Sequence, residues 1–205
     1  TLVWTSSMDG AATWTAIAGA GAVNAASALL AWDISGYSDS VRCRVKATCS
    51  QAPTVMDQSH DNFRIGAGAA HYYVNDSDTT NDAWCTAPGD DANDGLSPAT
   101  PMASVLTLLD TYSLAPGDTL HIDTGDYVLS RDIVITSDDD GSSAAPVTFE
   151  GSPYGVTIDR GAPTGIEYAF CLSNCNNVIL TTADSNAHPT VPHRGMRISG
   201  GTACI

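Results

Sequence analysis

From residue 119 onward, short runs rich in β-branched residues recur, each closed by Gly, Asn or Asp, and no other feature narrows the fold so far. The runs are 119–123, 132–136, 146–150, 155–158, 168–172, 178–180, 196–198 and 203–205. Runs this short cannot form amphipathic helices, and turn signals roughly 8–12 residues apart mark strands. One turn of such strands cannot bury its own apolar face, so stacking of successive turns must supply the core. A second β-sandwich would present the same short strands. Two features favour a solenoid: residues 105–109 make one helical stretch ahead of the first turn, a suitable cap, and Asn174, Asn176 and Asn177 suit bends in left-handed geometry. Pro101 at a first-turn position and Thr100 as N-cap place the helix at 102–110.

The first 66 residues read differently. Leu2, Val3 and Trp4 lead into Met8-Asp9-Gly10, and residues 13–17 then alternate, which predicts a hairpin with tryptophans on both arms. The Ala-rich stretch 18–31 has helical propensity, but Gly19 and Gly21 break it and it runs into an expected strand at 31–34. Residues 41–47 alternate with apolar side chains facing in and basic ones out, and 63–65 close the unit. Residues 67–70, Ala and Gly, read as a linker, so the expected organisation is 1–66, a linker at 67–70, and 71–205.

Charge excludes several functions. The chain carries 23 acidic and 8 basic residues, a formal net charge of -15. Nucleic-acid backbone binding needs clustered Lys and Arg, and Lys46 is the only lysine, so neither nucleic acid nor an anionic membrane surface is expected as partner. No apolar run is long enough to span a bilayer. The acids are almost all aspartate, a residue of turns and caps. Six cysteines, Cys43, Cys49, Cys85, Cys171, Cys175 and Cys204, include no CxxC pair, so disulfides in an oxidising compartment are the expectation and zinc is not. All six are disulfide candidates; the pairing stays open, with Cys85 to Cys171 or Cys175 one choice. Both ends of the chain read as cuts through a longer polypeptide.

Three groups are candidate sites. Asp76, Asp78 and Asp82 alternate with Thr80 in a loop that can curl around calcium, although the glycine and closing glutamate of such loops are absent. Asp90, Asp91 and Asp94 form a second candidate for the same cation, whereas 138–141 reads as an exposed turn. Residues 181–195 interrupt the strand rhythm, and Asp184, His188, His193 and Arg194 there form a candidate ligand loop for a sugar acid or metal.

The segments SSMDGAATWTAIA, AWDISGYSDSVRCRVKAT and DNFRI resemble the C-terminal part of an immunoglobulin-like or fibronectin-like module of large bacterial surface proteins. Residues 90–136, with N-D-G-x-S-P-A-T-P-x-A-S, P-G-D-T and D-x-G-x-Y, resemble the N-terminal cap and first coil of the pectate-lyase-like right-handed parallel β-helix family. GVTIDRG, FCLSNCNNVIL and RISGGTACI resemble its later coils. The resemblance implies an all-β chain, a partial β-sandwich module followed by a capped right-handed parallel β-helix. It does not imply catalysis, because that fold serves lyases, hydrolases and non-catalytic surface proteins alike. A lyase of the family would need a cation on the uronate and a basic residue as base. Arg131, Arg160, Arg194, Arg197, His188 and His193 are the candidates, but the resemblance places catalytic groups in later coils.

The favoured expectation is therefore a non-catalytic structural or adhesive segment of a large extracellular or cell-surface protein, a filament or surface-layer building block. Its expected partners are other copies of itself, the rest of a longer chain, or polysaccharide. The alternatives are the N-terminal part of a secreted polysaccharide lyase or hydrolase, and a calcium-dependent carbohydrate-binding module.

Overall fold

A computed structural model describes residues 1–20, 24, 30–66, 68–161, 168–183 and 195–200. The described chain is all-β with one short α-helix. It divides into two compact units, Thr1–Gly68 with Thr111–Ser113, and Ala69–Asp110 with Leu114–Ile205.

The first unit is an antiparallel sheet. Strand β1 (Leu2–Ser7) pairs with β2 (Thr15–Ala16) and with the long β3 (Ser40–Cys49), which also pairs with β4 (Met56–Gln58) and β5 (Phe63–Ile65). The turn between β1 and β2 is held by Asp9, whose carboxylate accepts from the Thr13 amide at 2.9 Å and the Thr13 hydroxyl at 2.6 Å. The strand expected at 31–34 does not form. Asp33 accepts from the Ser35 amide at 2.9 Å and the Tyr37 amide bonds to the Ile34 carbonyl at 3.0 Å, so a turn takes the backbone groups a ladder would need. Trp32 instead packs edge-on against Tyr37 and Phe63. Along β3 the expected segregation is incomplete. Cys43 is fully buried, but Arg44 is only half-exposed because Asn62 and the carbonyls of Ser59 and His60 hold its guanidinium.

The second unit is built from parallel sheets. One runs β6 (His71–Val74), β7 (Thr119–Ile122), β10 (Val147–Gly151), β13 (Val178–Thr182). A second runs β8 (Gly125–Val128), β11 (Val156–Asp159), β14 (Met196–Ser199), and β9 (Ile133–Ile135) pairs with β12 (Phe170–Leu172). Every pairing in these sheets is parallel. The Gly125-Asp126 pair, a turn by composition, begins β8: Gly125 sits opposite Val156 and Asp126 opposite Thr157. A Cβ on Gly125 would run into the Asp76 carboxylate, so the close approach of that loop requires glycine.

Strand alternation divides the side chains cleanly. Tyr72, Leu120 and Phe149 are in register, fully buried, and continue to Leu180. Tyr127 and Ile158 form a second buried column, Ile133 and Phe170 a third, and Phe149 meets Phe170 edge-on at 6.2 Å. These columns are the core. Asn174 and Asn177 take positive φ of 54° and 53° in the bend before β13, as their residue type allows.

Helix α1 is Val105–Thr111 and buries Val105, Leu106 and Leu108. It starts later than its sequence pattern predicts. Ser104, not Thr100, caps it: its hydroxyl accepts from the Leu106 amide at 3.1 Å and its carbonyl from the Leu108 amide. Residues 97–100 instead fold into a turn in which the Thr100 hydroxyl donates to Asp94 at 2.9 Å.

Candidate functional site

The loop between β6 and α1 is organised by a carboxylate absent from the sequence candidates. Asp123, fully buried just after β7, accepts from the amides of Ala83, Trp84 and Cys85 at 2.7, 2.9 and 2.6 Å. Three converging amides supply the stabilisation that a buried carboxylate loses in leaving water. Asn75, also fully buried, donates to Asp82 at 2.7 Å and to the Ala87 carbonyl at 2.9 Å. Gly89 closes the loop, since a Cβ there would strike the Asn75 carbonyl oxygen.

The six loop aspartates do not gather around one point. Asp76 accepts from the Asp78 amide, Asp78 from the amide and hydroxyl of Thr80, and Asp90 from the Ala92 amide. Asp91 accepts from the amides of Ala103 and Ser104 and the hydroxyl of Thr107, which ties the loop to the start of α1. Asp94 accepts from the Leu96 amide. These oxygens therefore serve turns and caps. Among the described residues no three His, Cys, Asp or Glu side chains stand ready to hold a metal ion. Asp82 differs from its neighbours. Burial and the Asp123 charge push its carboxyl up to about 7, and its Oδ1 is buried without a hydrogen bond.

The outward positions of β6, β7 and β10 carry the densest chemistry. Tyr73 faces His121, and His121 faces Glu150, across adjacent strands; His71 lies two residues before Tyr73. His71 Nδ1 is 2.9 Å from His121 Nε2. Glu150 Oε2 is 3.0 Å from His121 Nδ1, an ion-pair distance outside hydrogen-bond geometry. The His121 ring lies edge to edge with His71, their planes 10° apart, stacks against Tyr73 with centroids 5.0 Å away, and has Trp84 tilted over it at 4.7 Å. These rings leave His121 only 7% exposed. Burial, with the neighbouring His71 charge, holds its imidazole down to about 4, so it is neutral at physiological pH.

The remaining candidates are dispersed. Asp184, His188, His193, Arg194 and Cys204 lie outside the described residues. Cys43, Cys49, Cys85, Cys171 and Cys175 are free thiols, so the expected bridge from Cys85 to Cys171 or Cys175 is absent. Cys85 is buried beside Asp123, whereas Cys171 sits on β12 opposite Val134 and Cys175 in the bend that follows. Of the candidate bases, Arg131 pairs with Asp110, and Arg160 pairs with Asp132 at 2.9 Å. Arg197 is exposed on β14.

His71, His121, Glu150 and Asp123 were not singled out from sequence. The signal was present in the strand phase. His121 and Glu150 occupy the outward position of TLHI and VTFEG one turn apart, so aligning the turns places them side by side. No family model, curated protein or solved structure matches the chain. Among the described residues no helix is long and apolar enough to cross a membrane.

Proposed function

We propose that this chain is a non-catalytic structural or adhesive segment of a large extracellular protein. In this reading the first unit is the C-terminal part of an immunoglobulin-like or fibronectin-like sandwich, and the second is the capped opening of a right-handed parallel β-helix. The observation that carries it is the repeat of like on like. Val147 pairs with Val178 and Ile158 with Ile198, each strand beside its equivalent one full turn later. Such stacking extends by adding turns and generates long, flat, ladder-like faces.

The face formed by β6, β7, β10 and β13 suits an extended polymer. It offers Tyr73 and Trp84 rings, the exposed His71 imidazole, the Thr119 and Thr148 hydroxyls in register, and Thr181 opposite Glu150. Aromatic faces and hydroxyls are the groups that hold sugar rings. The net charge of -15 repels polyuronates, which favours a neutral glycan. An extracellular setting is compatible with Cys43 and Cys85 remaining thiols, because both are buried. Burial pushes the Cys43 and Cys85 thiols up, away from the reactive thiolate.

Affinity electrophoresis tests this reading. The protein is expected to be retarded by a gel-embedded neutral β-glucan and not by polygalacturonate. Release of unsaturated uronate from polygalacturonate makes the chain a lyase instead. Free migration through both polymers removes the adhesive role.

A further inference from the structure

We propose that Glu150 and His121 set the tautomer of His71, so that its outward Nε2 is a fixed hydrogen-bond acceptor for a ligand hydroxyl on this face. The inference rests on the reading of the face as a glycan surface, and it names what the ligand must bring there: a donor. His71 Nδ1 and His121 Nε2 stand 2.9 Å apart with their ring planes 10° apart, so one hydrogen bond joins the two rings edge to edge. One nitrogen donates and the other accepts, and the distance alone allows either direction.

Glu150 decides the direction. Its Oε2 lies 3.0 Å from His121 Nδ1, a buried nitrogen that makes no hydrogen bond. A bare lone pair on Nδ1 would face a carboxylate oxygen in a setting only 7% exposed, where repulsion is poorly screened. An N–H there is attracted to the same oxygen even outside hydrogen-bond geometry. His121 is neutral, so a proton on Nδ1 leaves its Nε2 bare. That Nε2 therefore accepts, and His71 donates from Nδ1. A neutral His71 with its proton on Nδ1 has a lone pair on Nε2. His71 is exposed, stands in register with Thr119 and Thr148, and among the described residues bonds through its ring to His121 alone. Tyr73 and Trp84 pack the His121 ring, so the direction is set before a ligand arrives. A sugar hydroxyl can donate to Nε2, whereas a uronate carboxylate has no proton to give and meets a lone pair. The array thus disfavours polyuronates independently of net charge.

The test first reads the tautomers in the purified full chain without polysaccharide. Long-range 1H–15N NMR spectra distinguish protonated from bare ring nitrogens. Burial pushes the Glu150 carboxyl up, so spectra are recorded at about pH 8, where carboxyls are ionised and imidazoles neutral. The expected result is a proton on Nδ1 and a bare Nε2 in both His71 and His121. His60, with its side chain 94% exposed in the first unit, is the reference for an unconstrained ring. Glu150→Met keeps the side-chain length without the charge and is expected to move protons towards Nε2 in both rings. His121→Phe keeps a packed ring and is expected to return His71 to the pattern of His60. A proton on Nε2 of either histidine in the wild type, or a pattern unchanged in Glu150→Met, overturns the proposal. Affinity electrophoresis then reads the ligand. His71→Ala is expected to weaken retention by β-glucan about fivefold, the size of one lost hydrogen bond, and His71→Gln, which keeps an acceptor, less. Equal retention of wild type and His71→Ala overturns the acceptor role. The expected tautomers in a wild type that β-glucan does not retain support the array and overturn the glycan reading.

Discussion

At the scale of single residues, two groups titrate abnormally and in opposite directions. Asp82 is pushed up to about 7 from the usual 3.8 by burial and by Asp123. Between those values the folded protein keeps a proton that the unfolded chain has released, so this group makes stability fall as pH rises. His121 is held down to about 4 from 6.5 by burial and by His71. Between those values the unfolded chain holds the extra proton, so its contribution is lost as pH falls from 6.5 towards 4. The two slopes oppose each other across the same window. Asp82→Asn is expected to leave a protein whose stability rises with pH there, and His121→Gln one whose stability falls. Urea unfolding of both variants at several pH values between 4 and 7 checks this, and parallel profiles refute the assignment. The thiols permit a second test: at least Cys43, Cys49, Cys85, Cys171 and Cys175 are expected to label in the unfolded, unreduced chain. A labelled count of four or fewer contradicts five free thiols.

At the scale of elements, α1 depends on two acceptors that sequence reading did not give it. Ser104 caps its first turn, and Asp91 accepts from two amides and a hydroxyl at the same end. With no acidic residue of its own in the first turn, the helix relies on these groups. Ser104→Ala is expected to cost about 1 kcal/mol and Thr100→Val less, read from urea midpoints. Equal losses would return the cap to Thr100. Gly89→Ala is expected to be more damaging than either, because the added methyl meets the Asn75 backbone rather than a movable side chain. Its loss should appear as a lower midpoint and as faster proteolysis within 75–94.

At the scale of the whole molecule, stability of the parallel unit rests on its inward columns. Phe149 is fully buried, flanked by Leu120 and Leu180 in register and by Phe170 edge-on. Phe149→Ala is expected to cost about 3–5 kcal/mol. Ile179, on the neighbouring strand but 43% exposed, is expected to cost about 0.5 kcal/mol or less on the same change. Similar losses at the two positions would mean that the strand faces are not divided as described. The all-β class, most strand positions and the bend at Asn174 to Asn177 were legible because alternation and turn chemistry are local properties of consecutive residues. Where local signals competed, tertiary structure decided. Asp33 turned a strand-like segment into a turn, and Gly125-Asp126, a turn by composition, was drawn into β8 by its partner Val156. The candidate site lay further out of reach. Its residues come from strands separated by whole turns, and only parallel pairing brings His71, His121 and Glu150 onto one face. The loop aspartates were readable as acidic, but not as acceptors for their own backbone. That role depends on which amides the fold leaves without partners, a quantity no single residue carries.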